Sequence, residues 1–281
     1  MKKLIAGVLV ALTFSAIAAS PASASHSWGG YHWAQANTSA PSVRVDLGDN
    51  LVSTRSTDWP AIFKGSPSTG ASVSYNWSNL HLFPTLNGFP TPNGSADVLE
   101  TLPVTGANLT SQKRCKPKSG RVEVCNARYG YNGWLGLAQI WISGGHIVQG
   151  TAKVNDSYLD SSSYATAGKQ HVLCQELGHT FGLDHTSEDG TDQNTCMDYA
   201  DALDNPHTNA HDNEQINFIY RAHNDPPSTA TSTSTKGNGK VRRLRKDLYV
   251  ENFSNGDKLF TFVTFIDDAA ARGAPTDRVP E

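Results

Sequence analysis

The chain has 281 residues, 23 Lys and Arg against 26 Asp and Glu, a formal net charge of −3, and only 17% charged residues. This slightly acidic balance excludes the strong basic excess that nucleic-acid binding calls for. A hydrophobic content of 38% is too low for a multi-span membrane protein, and the length allows one large domain or two small ones with a proper core.

The first 24 residues read as an address. Lys2 and Lys3 precede an apolar run from Leu4 to Ala19, followed by Ser20-Pro21-Ala22-Ser23-Ala24. This is the layout of a secretory signal peptide cleaved after Ala24, and the run is short for a membrane anchor. The expected mature chain starts at Ser25, carries 21 basic and 26 acidic residues, and works outside the cell, with no membrane association after cleavage. Export places Cys115, Cys125, Cys174 and Cys196 in an oxidising compartment, where an even count suggests two disulfides. Of the three pairings, Cys115–Cys125 and Cys174–Cys196 are favoured, the first bracketing a turn that enters a strand.

Residues 25–60 open on Trp28, Tyr31 and Trp33, and Val43–Leu47 alternates as a strand does. A short helix fits within 50–64. Residues 65–112 are rich in Ser, Gly, Asn and Pro and read as loops, with one strand near Ala96–Leu102. Arg121–Cys125, Leu137–Ile142 and His146–Val154 are strand candidates punctuated by glycines. Tyr164–Leu183 reads as a helix ended by Gly182, and Asp212–His223 as a second helix with Ile216, Ile219, Tyr220 and His223 on one face. Asp225–Gly239 is a linker by composition. The tail offers a hairpin, Arg242–Phe253 and Lys258–Ile266, around Ser254-Asn255-Gly256-Asp257. The expected domain limits are 1–24 (signal peptide), 25–224 (catalytic domain), 225–240 (linker) and 241–281 (hairpin tail).

Residues 174–185 read Cys-Gln-Glu-Leu-Gly-His-Thr-Phe-Gly-Leu-Asp-His. Gln175 and His179 are four apart on a helix, so their side chains share a face and can grip one ion. Glu176 adjoins the first of them and can reach a water on that ion. Gly182 can take the left-handed conformation that ends a helix, and the returning chain brings in His185.

Here the sequence resembles the metzincin family of zinc endopeptidases, whose pattern is H-E-x-x-H-x-x-G-x-x-H followed by a Met-turn. It is most similar to the matrixin branch through Gly182-Leu183-Asp184-His185, and Cys196-Met197-Asp198-Tyr199 resembles the Met-turn. Apart from the initiator, Met197 is the only methionine. The similarity covers roughly residues 120–223. It implies an α+β fold (an α/β sandwich) with a twisted, mostly parallel sheet, an active-site helix, a Met-turn and a C-terminal helix, to which the tail adds its β-hairpin. It also implies one catalytic Zn2+ held by Gln175, His179 and His185, with Glu176 as general base and Tyr199 as hydrogen-bond donor to the oxyanion or distant ligand. The implied enzyme is a secreted, monomeric endopeptidase acting on protein or peptide substrates. A substrate would lie extended along an edge strand, for which Leu137–Ile142 is the candidate. A Cys174–Cys196 disulfide would tie the active-site helix to the Met-turn.

The sequence departs from the family at Gln175, which stands where the pattern has its first His. An amide oxygen is a weaker zinc ligand than imidazole nitrogen. Three outcomes follow: Gln175 binds through Oε1, another group or waters complete a two-His site, or zinc is absent. His171 is no substitute, because eight residues put it about 12 Å along the helix axis from His179. His81, His146, His207 and His211 stand as strangers to the site. The alternative function is a catalytically weak or inactive binding protein on a protease scaffold. No loop spacing supports calcium at Asp189, Asp192 or Asp198. Lys236, Lys240, Arg242, Arg243, Arg245 and Lys246 place six basic charges in eleven residues. They read as a solvated hairpin face, the rival reading being a docking patch for an anionic surface.

Overall fold

The computed structural model describes residues 26–34, 43–64, 73, 77, 99–187, 189–199, 203–220 and 239–280. The expected signal peptide, nearly all of the expected linker, His81, His223 and most of 65–98 lie outside the described residues.

The described chain forms a mixed sheet with few helices. Strands are β1 (His32–Trp33), β2 (Val43–Asn50), β3 (Leu99–Thr105), β4 (Arg121–Ala127), β5 (Trp134–Ser143), β6 (His146–Asn155), β7 (Val241–Arg243), β8 (Leu248–Asn252) and β9 (Lys258–Phe265). Helices are α1 (Trp59–Lys64), α2 (Asp156–Leu159), α3 (Thr166–Thr180), α4 (Ala210–Tyr220) and α5 (Asp268–Gly273). The strand order is β3-β2-β4-β6-β5-β9-β8-β7, with β1 added to the start of β6. From β3 to β6 the pairings are parallel, and from β6 through β5 to β7 they are antiparallel.

The expectation of a mostly parallel sheet is corrected by the tail. Its strands do not form an isolated hairpin but extend the sheet, with β9 paired along β5 from Lys258↔Ile142 to Phe265↔Trp134. The proposed substrate edge, Leu137–Ile142, is therefore an interior strand between β6 and β9. Physically, β5 is apolar on both faces: Ala138, Ile140 and Ile142 enter the main core, while Leu137 and Trp141 enter two smaller clusters with residues of the tail. A strand buried on both faces, with an unpaired row of backbone groups, is a template for another strand.

Helix α3 packs against β5 and β6 and reaches β9. Its last turn closes as the sequence requires: Gly182 has φ +98°, its N–H donates to the His179 carbonyl (3.2 Å), and the Leu183 N–H donates to the Gly178 carbonyl (3.2 Å). The aromatic stretch near the N-terminus, together with Tyr220, supplies further donors to carbonyls at this helix end. Trp28 Nε1 donates to the His179 carbonyl (3.0 Å), Trp33 Nε1 to that of Thr180 (2.8 Å), and the Tyr220 hydroxyl to that of Phe181 (2.8 Å).

Candidate active site

Both favoured disulfides are closed: Cys115–Cys125 and Cys174–Cys196. The second joins α3 to the segment carrying Met197. Gly178 is where that segment meets the helix, because a Cβ there would collide with Met197 Sδ and the Trp77 ring. The disulfide closes a loop of 22-residue separation, worth roughly 3 kcal/mol in the chain-entropy model. Replacing both Cys174 and Cys196 by Ala should lower stability by about that amount in a denaturant titration, while removing the Cys115–Cys125 pair should leave the candidate site intact.

Gln175, Glu176 and His179 lie on the buried side of α3, at 2%, 0% and 1% exposure. Gln175 Nε2 donates to the Asp198 carbonyl (2.7 Å), and Gln175 Oε1 accepts from the Thr264 hydroxyl (2.6 Å). The same hydroxyl lies 2.5 Å from Glu176 Oε1. Glu176 is seated against β5 where Gly136 leaves room, since a Cβ at Gly136 would collide with its carboxyl. Burial raises the Glu176 carboxyl to about 8, opposed by the Thr264 hydrogen bonds.

His179 Nδ1 is 2.9 Å from the Leu183 carbonyl and donates to it, so Nε2 carries the lone pair in the neutral ring. Burial, and then neighbouring His185, lower His179 to about 3, keeping it neutral. His185 meets it edge to face at 4.7 Å between centroids, and Tyr199 lies 4.9 Å from His185. The Nε2 atoms of His179 and His185 and Oε2 of Glu176 are buried with no hydrogen-bond partner among the described residues. Two adjacent imidazole rings, each with an unpartnered buried Nε2, are the kind of donors that suit a zinc ion. The structure thus brings the five sequence-derived site residues into two contacting groups, Gln175 with Glu176 through Thr264, and His179 with His185 and Tyr199.

The hairpin tail, which the sequence reading left outside the site, covers it. Alternation along β9 sends Phe260, Phe262 and Thr264 to the side that meets α3. Phe262 stacks on His179 at 4.0 Å and 11°. Asp247, just before β8, places Oδ2 3.3 Å from His185 Nδ1. Burial alone would raise Asp247, but the His185 contact and the Arg245 charge hold its carboxyl well below the usual range. Arg245 grips Asp184, the neighbour of His185, with two hydrogen bonds of 2.7 Å. Lys246 Nζ sits 3.9 Å from the centre of the Tyr199 ring.

These contacts correct the expectation of a solvated basic face for Arg243, Arg245 and Lys246, while Lys240 and Arg242 are exposed and Lys236 lies outside the described residues. Arg243 donates to the carbonyls of Arg245, Lys246, Ala271 and Ala274, and Arg245 and Lys246 are turned onto the site. A cavity of about 400 Å³ adjoins the site at Gln175, Tyr199 and Thr264, with His171 and Arg272 also in its lining, but Glu176, His179 and His185 do not line it. Sequence reasoning missed Asp247, Phe262 and Thr264 because nothing local links residue 264 to residue 175. The available signal was the tail's own alternation, which demanded a partner for an apolar face.

Among the described residues no helix is long and apolar enough to cross a membrane. Comparison with protein-family models, with curated proteins and with solved structures finds no match to this chain.

Proposed function

We propose that this chain is a secreted, matrixin-like zinc endopeptidase whose cleft is closed by its own C-terminal hairpin. The observation that carries this reading is the pair of buried, unpartnered Nε2 atoms on His179, three residues after Glu176 on α3, and on His185, which the turn at Gly182 returns beside it. The Gln-Glu-x-x-His-x-x-Gly-x-x-His spacing and the Met-turn resemblance give that pair its family reading.

When bound, zinc supplies a water acidified towards neutrality and a Lewis acid for the scissile carbonyl. His179 and His185 would hold it, with Gln175 Oε1 as third donor once Thr264 withdraws. Glu176 is the base that takes the water's proton and passes it to the leaving amine. Tyr199, whose ring lies 4.9 Å from that of His185, would donate a hydrogen bond to the developing oxyanion. The two disulfides accord with an oxidising compartment.

A second reading is favoured by two observations: both ends of the Gln175 amide already have protein partners, and Phe262 lies flat on His179. A scaffold so filled is also what a non-catalytic binding protein would keep. Gln175→His separates the two. Restoring an imidazole should tighten zinc on the order of 10–100-fold, the range seen when a group that merely orients a ligand is lost or gained, and should raise hydrolysis of an unstructured peptide. Unchanged zinc affinity in a zinc titration would remove position 175 from the metal. Absence of zinc-dependent hydrolysis in both parent and variant after release of the hairpin would leave the binding-protein reading standing.

A further inference from the structure

We propose that His26, His211 and Asp212 form a second metal site, distinct from the His179–His185 pair, that takes a divalent transition ion of the Zn2+ class and clamps the N-terminal segment onto α4. Their ligand atoms all lie within 4.8 Å of one another, the one such group of three among the described His, Cys, Asp and Glu side chains. His26 and Asp212 are 4% and 0% exposed, and His211 is half-buried.

The argument turns on which atoms are already used. His26 Nδ1 is 2.9 Å from the Asp184 carbonyl, which can only accept, so Nδ1 carries the hydrogen and Nε2 the lone pair. That lone pair is buried without a hydrogen-bond partner and points at Asp212 Oδ1 from 3.7 Å. Asp212 Oδ2 is taken by the Asn209 N–H (2.8 Å) and the Thr195 hydroxyl, whereas Oδ1 has only a 3.5 Å contact with the Thr186 hydroxyl. The His211 ring stacks on His26 at 4.7 Å and 21°, and its Nδ1 is likewise buried and unpartnered.

The His26 lone pair, a ring nitrogen of His211 and one carboxylate oxygen thus lie within 4.8 Å of one another. Ligands 2.0–2.1 Å from a tetrahedral ion are about 3.4 Å apart, so separations of up to 4.8 Å need to contract by at most about 1.4 Å to share one. Two nitrogens and one oxygen suit zinc-like ions and not calcium or magnesium, which take all-oxygen shells. Half-exposed His211 leaves the fourth position to water.

An ion here would be structural. The His26 carbonyl accepts from the Asp184 N–H, Ser27 bridges Leu183, and the Trp28 N–H donates to the Gly182 carbonyl (3.2 Å). Fixing His26 to α4 therefore fixes the turn that delivers His185. Because Thr195 shares the Asp212 carboxylate, the same ion steadies the approach to Met197.

The test compares zinc binding by the full mature protein and by His211→Ala, a half-exposed position whose substitution leaves the Asp212 hydrogen bonds in place. The parent should bind one zinc ion more than the variant. That difference holds whether or not the His179–His185 site is occupied, so it does not depend on the peptidase reading. Affinity at the lost site should fall by at least about 100-fold, and the zinc-dependent rise in Tm should shrink while Tm in chelator stays unchanged. Equal stoichiometry and equal affinity in parent and variant would overturn the proposal. Should His211→Ala fail to fold, crystals of the parent soaked in zinc decide it: an anomalous peak between His26, His211 and Asp212 supports the site. No peak at saturating zinc means that the buried pair shares a proton instead, and the proposal falls.

Discussion

Cutting the chain within residues 225–238, in a protein that also carries Phe262→Ala, should release the hairpin and raise peptide hydrolysis by at least about 100-fold, the lower end of what loss of an intramolecular competitor yields. Both changes are needed. Phe260, Phe262, Val263 and Phe265 of β9 are nearly or fully buried, and at about 1.5–3 kcal/mol each their burial is worth roughly 6–12 kcal/mol. A micromolar complex corresponds to about 8 kcal/mol, so a cut alone should leave the hairpin seated at micromolar protein and activity unchanged. Phe262→Ala removes about 3–5 kcal/mol and, with it, the ring that lies on His179. Gel filtration then separates the tail, and an inserted protease site makes the cut selective. A tail-free, folded protein that hydrolyses no faster than the intact chain would show that the hairpin does not hold hydrolysis in check. Loss of β9 also uncovers the apolar β5 edge, so freed protein should bind extended peptides there or associate through it.

Glu176→Gln should leave zinc binding within a few-fold of the parent and reduce hydrolysis by about 10²–10⁴, the usual worth of a positioned acid–base group. The substitution nearly preserves shape, which matters because Glu176 fills the space left by Gly136 and touches the Thr264 hydroxyl. It is best measured in the hairpin-released background, where zinc content and turnover are read on the same sample. Retained hydrolysis would remove Glu176 from the chemistry, and loss of zinc together with hydrolysis would make it a ligand or a packing group instead of a base.

Several elements were legible because their signals are local. Alternation marked β2, which runs three residues further in the fold, and glycine punctuation marked the breaks between β4, β5 and β6. The predicted helix Tyr164–Leu183 shortened to Thr166–Thr180, since Phe181 and Gly182 belong to its cap and not its last turn. Cysteine spacing and export together favoured the two disulfides that the fold closes. The tail strands were also visible, but as a separate hairpin.

What the sequence determined by itself is the spacing on α3 and its turn: which side chains share a helical face, where the helix must stop, and that His185 returns after Gly182. Those follow from 3.6 residues per turn and from the one residue that tolerates φ +98° there. Only the tertiary structure decided that β5 has partners on both sides, that Thr264 stands between Gln175 and Glu176, that Asp247 faces His185, and that His26 meets Asp212 across 186 residues of chain. Contacts of that kind arise from burying one apolar face against another, and a face records that it needs cover without recording which distant segment supplies it.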